Sequence, residues 1–69
     1  MAERLGNRLK DRRGELGWTQ AELAERVGVS RKTVNTVENG VFVPSTLLAL
    51  KLAAALERRV EELFWVEGS

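Results

Sequence analysis

The sequence predicts an all-α domain of five short helices, and three observations carry that prediction. Around Thr19 a complete helix-start signal is written. Thr19 can cap, Glu22 can reach back to close a capping box, and Trp18 faces Leu23 as a hydrophobic staple. Further on, Gly28-Val29-Ser30 ends one helix and caps the next within three residues, which forces the two helices to cross steeply instead of lying antiparallel. Finally, residues 47–56 read LLALKLAAAL, a helical run in which only Lys51 is charged.

The first helix is expected over about residues 3–16. Leu5, Leu9 and Leu16 fall on one side of it, with Arg13 at the missing step of the same stripe. Gly6 and Gly14 each weaken it by roughly 1 kcal/mol relative to Ala, and Gly17 ends it. The second helix, 20–27, presents Ala21, Ala24 and Val27 as a small-residue face for close packing and breaks at Gly28. The third, 31–39, is capped by Ser30, turns Val34 and Val37 inward and ends at Asn39-Gly40.

Pro44 and Ser45 set up the fourth helix, 46–56. It has no broad polar face and is therefore expected to be covered both by the domain core and by a second subunit. A fifth helix is expected over 60–64, followed by the aromatic ending Phe64-Trp65. Between these two, Glu57-Arg58-Arg59 offers neither a glycine for a left-handed cap nor a Ser-type cap, so the helices are expected to run on with little break.

Size and composition exclude several chemistries. The 69 residues are read as a single domain, 1–69, and a domain of that size buries only about 60% of its unfolded surface, which leaves little for a catalytic cleft. With no Cys and no His there is no thiol nucleophile, imidazole base or soft-metal ligand set; no metal, cofactor or catalytic residue is expected. No run reaches the roughly 18 apolar residues of a membrane helix, and Met1 leads into Glu3 and Arg4 without a signal-peptide core, so a cytoplasmic protein is expected. The net charge of +1 hides an asymmetry. Residues 1–16 hold five bases against three acids, whereas the last 29 residues hold three bases against four acids. A mildly basic N-terminal half permits nucleic-acid binding without demanding it.

The blocks Trp18-Thr19-Gln20-Ala21-Glu22-Leu23-Ala24, Val27-Gly28-Val29-Ser30-Arg31 and Val37-Glu38-Asn39-Gly40 stand in order. They are followed by Pro44-Ser45, Leu50-Lys51-Leu52-Ala53 and Glu61-Glu62-Leu63-Phe64. In these blocks the chain resembles the Cro/repressor-like helix-turn-helix family, also called the Xre family, and in particular its small stand-alone repressors. The resemblance implies a lambda-repressor-like fold, with room for a short extended C-terminal tail. It also implies a transcriptional regulator of double-stranded DNA, acting as a repressor and binding a pseudo-palindromic operator as a homodimer. The third helix would enter the major groove.

Carried over residue by residue, the resemblance makes Arg31, Lys32, Asn35 and Thr36 the base readers, with Arg31 suited to guanine O6 and N7. It makes Thr19, Gln20, Ser30, Thr33 and Asn39 phosphate contacts that position without reading sequence. It pairs Arg13 with Glu38 structurally, which accounts for a cation on an apolar stripe. In the family helix five and the tail form the dimer; with the apolar fourth helix added, the expected homodimer runs through helices four and five and residues 64–66, with Leu48, Leu52, Leu63, Phe64, Trp65 and Val66 at the interface. The chain departs from the family where Glu57-Arg58-Arg59 replaces a Gly and cap, where Leu47 replaces an acid and where Arg12 replaces an apolar residue.

Blander readings compete with these. On an arbitrary small domain, Ser30 to Thr36 would be an ordinary solvated helix face. Here positions 31, 32, 35 and 36 carry two cations and two hydrogen-bonding side chains and no acid, in a chain otherwise rich in Glu. Arg4, Arg8 and Lys10 read as a solvated face, and Glu57, Glu61 and Glu62 read as another in place of a carboxylate site. The rival function is a protein-interaction module of the antitoxin or anti-repressor type, with a toxin or similar chain as partner covering the apolar fourth helix.

Overall fold

The computed structural model describes residues 2–68, and it begins on a strand instead of a helix. Arg4–Asn7 form β1, which pairs antiparallel with β2 (Phe64–Glu67) in the register Arg4↔Glu67, Leu5↔Val66, Gly6↔Trp65 and Asn7↔Phe64. The helix expected over 3–16 is therefore confined to α1, Leu9–Glu15. Its apolar spacing suits a helix, but Gly6 disfavours one, and pairing with the C-terminal segment satisfies backbone groups that a frayed first turn would leave to water.

Gly6 has a second reason to be glycine. A Cβ there would come within 2.4 Å of the Trp65 indole nitrogen, so the indole of the paired residue occupies the missing side chain's place. Trp65 is further held by its Nε1, which donates to Glu67 Oε2 at 2.9 Å, and by the Arg8 guanidinium 4.9 Å from its ring centroid.

Helices α2 (Gln20–Val27), α3 (Arg31–Glu38), α4 (Thr46–Leu56) and α5 (Val60–Leu63) complete the chain. At the start of α2 the capping box is closed in both directions: Glu22 N–H donates to Thr19 Oγ1 at 3.1 Å and Thr19 N–H donates to Glu22 Oε1 at 2.8 Å. These bonds favour the charged form of Glu22 and lower its pKa. Gly28 takes the left-handed conformation that ends α2, and Ser30 Oγ then accepts from Thr33 N–H at 3.1 Å to begin α3.

The core is built from Leu9, Leu23, Ala24, Val27, Val34, Val37, Leu52, Ala53, Leu56, Leu63 and Phe64. Leu23 and not Ala21 joins Ala24 and Val27 on the inner face of α2; Ala21 is exposed.

Two further expectations are corrected here. Helices α4 and α5 do not run on, because Glu57 itself adopts the left-handed cap at φ 57° and ψ 44°, and Arg59 N–H is capped by Glu62 Oε1 at 2.8 Å. A non-glycine residue thus holds a conformation that costs it roughly 1–2 kcal/mol, in exchange for a turn that returns α5 onto the core. The second correction concerns the expected dimer surface. Leu52, Leu63 and Phe64 are buried within the protomer and have almost no area left to give a second copy, and Trp65 lies over Gly6. The fifth helix also stops at Leu63, since Phe64 already belongs to β2. Exposed apolar area sits on Val41, Phe42, Val43, Leu47, Leu50 and Val66 instead.

Candidate nucleic-acid interface

The site is built on α3 because Val34 and Val37 fasten one side of that helix to the core. The opposite side turns out Arg31 and Lys32, both exposed, with Asn35 and Thr36 half-buried beside them. No acidic side chain stands among these four. Thr36 Oγ1 donates to the Thr33 carbonyl at 2.9 Å, and Ser30 Oγ lies 3.0 Å from Thr33 Oγ1, so the small hydroxyls are anchored on the helix itself.

Behind this face stands an ion pair. Arg13 Nε donates to Glu38 Oε2 at 2.8 Å and Arg13 Nη2 donates to Glu38 Oε1 at 3.1 Å, in the two-pronged geometry that suits guanidinium and carboxylate. Only 2% of the Glu38 side chain is exposed, and Arg13 Nη1 also donates to the Trp18 carbonyl at 2.9 Å. The bonds to Glu38 raise the pKa of Arg13 above its ordinary value against the opposing effect of burial.

Gln20, at the first turn of α2, joins the pair to the face. Its Nε2 donates to Glu38 Oε1 at 3.0 Å, while its Oε1 accepts from Arg31 Nη1 at 3.3 Å and from Asn35 Nδ2 at 3.5 Å. The expected phosphate contacts Gln20, Thr19, Ser30 and Thr33 cluster around the beginnings of α2 and α3. Asn39 is exposed past the end of α3, bordering a cleft with Arg4, Gly6 and Glu67.

Two features of this region were not read from the sequence. Asn7 ties the end of α3 to the start of α1: its Nδ2 donates to the carbonyls of Val37 and Glu38 at 3.1 and 3.3 Å, and its Oδ1 accepts from Leu9 N–H at 3.1 Å. Its signal in the sequence is an Asn two residues before an apolar helix position, which a helix running over 3–16 obscures. Val41 and Phe42 form the second feature. Their N–H groups both donate to the Thr36 carbonyl, at 2.9 and 3.2 Å, and their side chains line a groove with Lys32, Thr33 and Thr36.

The description "Helix-turn-helix" fits residues 9–63 as one family model, which takes in α1 to α5 and leaves out the β1–β2 pair. The chain belongs to the helix-turn-helix family. Within it the match is to the Cro/repressor type. It is 46% identical over 61 residues to the HTH-type transcriptional regulator YgzD of Bacillus subtilis, covering 88% of this chain and 92% of that one. Among solved structures, the restriction-modification controller protein C.AhdI of Aeromonas hydrophila superposes with a TM-score of 0.74 at 37% identity, over 78% of this chain and 82% of its own. The biofilm regulator SinR, solved in complex with DNA, superposes with a TM-score of 0.71 at 31% identity over 77% and 86%. Antitoxin HipB of Escherichia coli is 36% identical over 53 residues, covering 77% of this chain and 56% of that protein. No helix among the described residues of this helix-turn-helix protein is long and apolar enough to cross a membrane.

Proposed function

We propose that the chain is a sequence-specific repressor of transcription that lays α3 in the major groove of a pseudo-palindromic operator as a homodimer. The observation that carries this reading is the composition of the α3 face. Two exposed cations stand on it with a half-buried amide and a half-buried hydroxyl side chain beside them, and the one acid of the same helix, Glu38, has a buried side chain paired with Arg13. Such a face attracts phosphate and can donate to base edges without an acid to repel the backbone. The naming of YgzD as a transcriptional regulator and the solution of SinR on DNA support it.

In this reading Arg31, Lys32, Asn35 and Thr36 read bases, and Thr19, Gln20, Ser30, Thr33 and Asn39 hold the backbone. The second copy is accommodated by the exposed apolar residues Val43, Leu47, Leu50 and Val66 together with the half-buried Leu48. Repression follows most simply from a dimer excluding polymerase, in the cytoplasm, without catalysis. Selection from a randomised duplex library at near-physiological salt, with the mass of the recovered complex, tests this. An enriched palindrome carrying two chains is expected; salt-sensitive binding with no enriched sequence refutes it.

A second reading is favoured by the likeness to HipB and by an apolar groove of about 360 Å³ lined by Leu5, Val43, Pro44, Leu50, Val60 and Phe64. In it the fold serves as an antitoxin, with a toxin chain on that groove. A purified complex in which this chain pairs with a different protein and not with itself would favour it.

A further inference from the structure

Val41 and Phe42 stand beside α3 at 78% and 48% exposure, and neither packs on the core. Gly40, left-handed at φ 74°, turns the chain back at the end of α3. The two N–H groups that follow both donate to the Thr36 carbonyl, at 2.9 and 3.2 Å, so the loop is fastened to the helix. With Lys32, Thr33 and Thr36 the two side chains line a groove of about 350 Å³. Little polar chemistry is left in it. The Val41 and Phe42 N–H groups are spent on Thr36, and the Thr36 hydroxyl donates to the Thr33 carbonyl at 2.9 Å and has no proton left to give. The groove shares no lining residue with the apolar one beside α4, where Val43, Leu50 and Phe64 lie. Phe42 therefore belongs to the face of α3 and not to the surface that would meet a second copy.

We propose that this groove receives the C5-methyl group of a thymine in the DNA major groove, with Phe42 as a specificity-determining residue beside the polar base readers of α3. This rests on the reading of α3 as the element that contacts bases. Thymine is the one unmodified base with an apolar group on its major-groove edge, and Phe and the methyl of Thr are side chains that meet it. An exposed apolar patch with a polar rim marks a contact surface. Here the rim holds Lys32, an exposed cation that favours DNA over an apolar protein partner as the occupant. A phosphate would find the loop N–H groups already engaged and a phenyl ring in place of a donor. A methyl group leaves water there and asks for no hydrogen bond in return. Because two hydrogen bonds hold the loop on Thr36, Phe42 enters the DNA together with α3 and the loop needs no further ordering on binding.

Deoxyuridine tests this, since it pairs as thymidine does and lacks only the methyl group. Binding of wild type, Phe42→Ala and Phe42→Leu is measured on a selected duplex and on duplexes with uracil in place of each thymine in turn. Thermal melts verify folding. At one thymine of each half-site, wild type is expected to bind the uracil duplex about fourfold more weakly, the factor of burying one methyl group. F42A is expected to bind the thymine and uracil duplexes alike at that position, and F42L to keep most of the difference. Binding to unrelated duplex should change little in either variant. Wild type indifferent to uracil at every thymine, or F42A keeping the whole difference, would overturn the proposal. Equal weakening of F42A on every duplex would put the ring against the sugar-phosphate backbone and overturn it too. So would weaker self-association of F42A in sedimentation with the uracil effect intact, which would give the ring to a second copy. Wild-type protein without preference for any duplex would overturn the reading of α3 itself, and the proposal with it.

Discussion

Arg13→Met gives the sharpest test of how the α3 face is supported. The substitution removes two hydrogen bonds to Glu38 and one to the Trp18 carbonyl. It leaves a carboxylate whose side chain is 2% exposed, with Gln20 Nε2 as its remaining partner. Breaking one side of a buried pair costs about 3–5 kcal/mol, because the other charge stays desolvated. A chain of this length has a total stability of roughly 3–10 kcal/mol at 0.05–0.15 kcal/mol per residue. The variant should therefore be marginally folded or unfolded at room temperature, with Tm lowered by at least about 12 °C. Pairing it with Glu38→Leu removes the orphaned charge, and apolar replacement of a whole buried pair is often close to neutral. The double variant should recover most of the loss, short of what the Trp18 carbonyl and the Gln20 amide forfeit. Urea melts followed by circular dichroism, fitted with a common slope, read both quantities. A cost below about 1 kcal/mol for R13M, or a double variant no better than the single, would show that water screens the pair and that it does not organise the face.

Four other outcomes follow from the same structure. Glu57→Gly relieves a left-handed non-glycine residue of roughly 1–2 kcal/mol while adding unfolded-state entropy, so a net gain of about 0.5–1 kcal/mol and a Tm a few degrees higher are expected in thermal melts. Gly6→Ala forces a methyl group into the Trp65 indole and should cost about 1–3 kcal/mol; a red-shifted Trp65 emission in a Trp18→Phe background reports the displaced ring. The Glu67 pKa is lowered first by the Trp65 Nε1 hydrogen bond and then by Arg4. Its contribution is thus present above the unfolded carboxylate pKa and lost as pH falls through the lower folded value; an NMR titration of Glu67 with a midpoint at or above the ordinary Glu range would contradict this. Leu47→Glu with Leu50→Glu should leave the fold intact and weaken self-association in sedimentation, whereas Leu52→Asp should abolish folding; a double Glu variant that is still fully dimeric would remove α4 from the interface.

The parts of the fold legible in the sequence are those whose signals are local. Thr19, Glu22, Gly28 and Ser30 define both ends of α2 and the start of α3 through caps that involve only a few neighbouring residues, and the structure has them where the spacing puts them. Residues 4–7 do not announce a strand because their partner lies some sixty residues away, and a short strand that exists only by pairing leaves no periodicity of its own. The break at Glu57 was missed for a related reason: packing of α5 on the core imposes a left-handed turn on a residue that would not choose it. At the site, residue types on α3 were legible from helical spacing, and the burial of Leu52, Leu63 and Phe64 was not, since apolar residues at a core and at an interface look alike in one dimension. The links from Asn7 to Val37 and from Gln20 to Arg31 needed three-dimensional placement.

The central claim is that Arg31 on α3 reads a base. Its most direct measurement is the affinity of wild type and Arg31→Ala for a selected duplex and for unrelated duplex, at several salt concentrations. The account predicts a loss of about 1–3 kcal/mol on the selected duplex, relaxed preference at one position and near-unchanged binding to unrelated sequence. An equal loss on both, growing weaker as salt rises, would place Arg31 on phosphate alone and contradict the account.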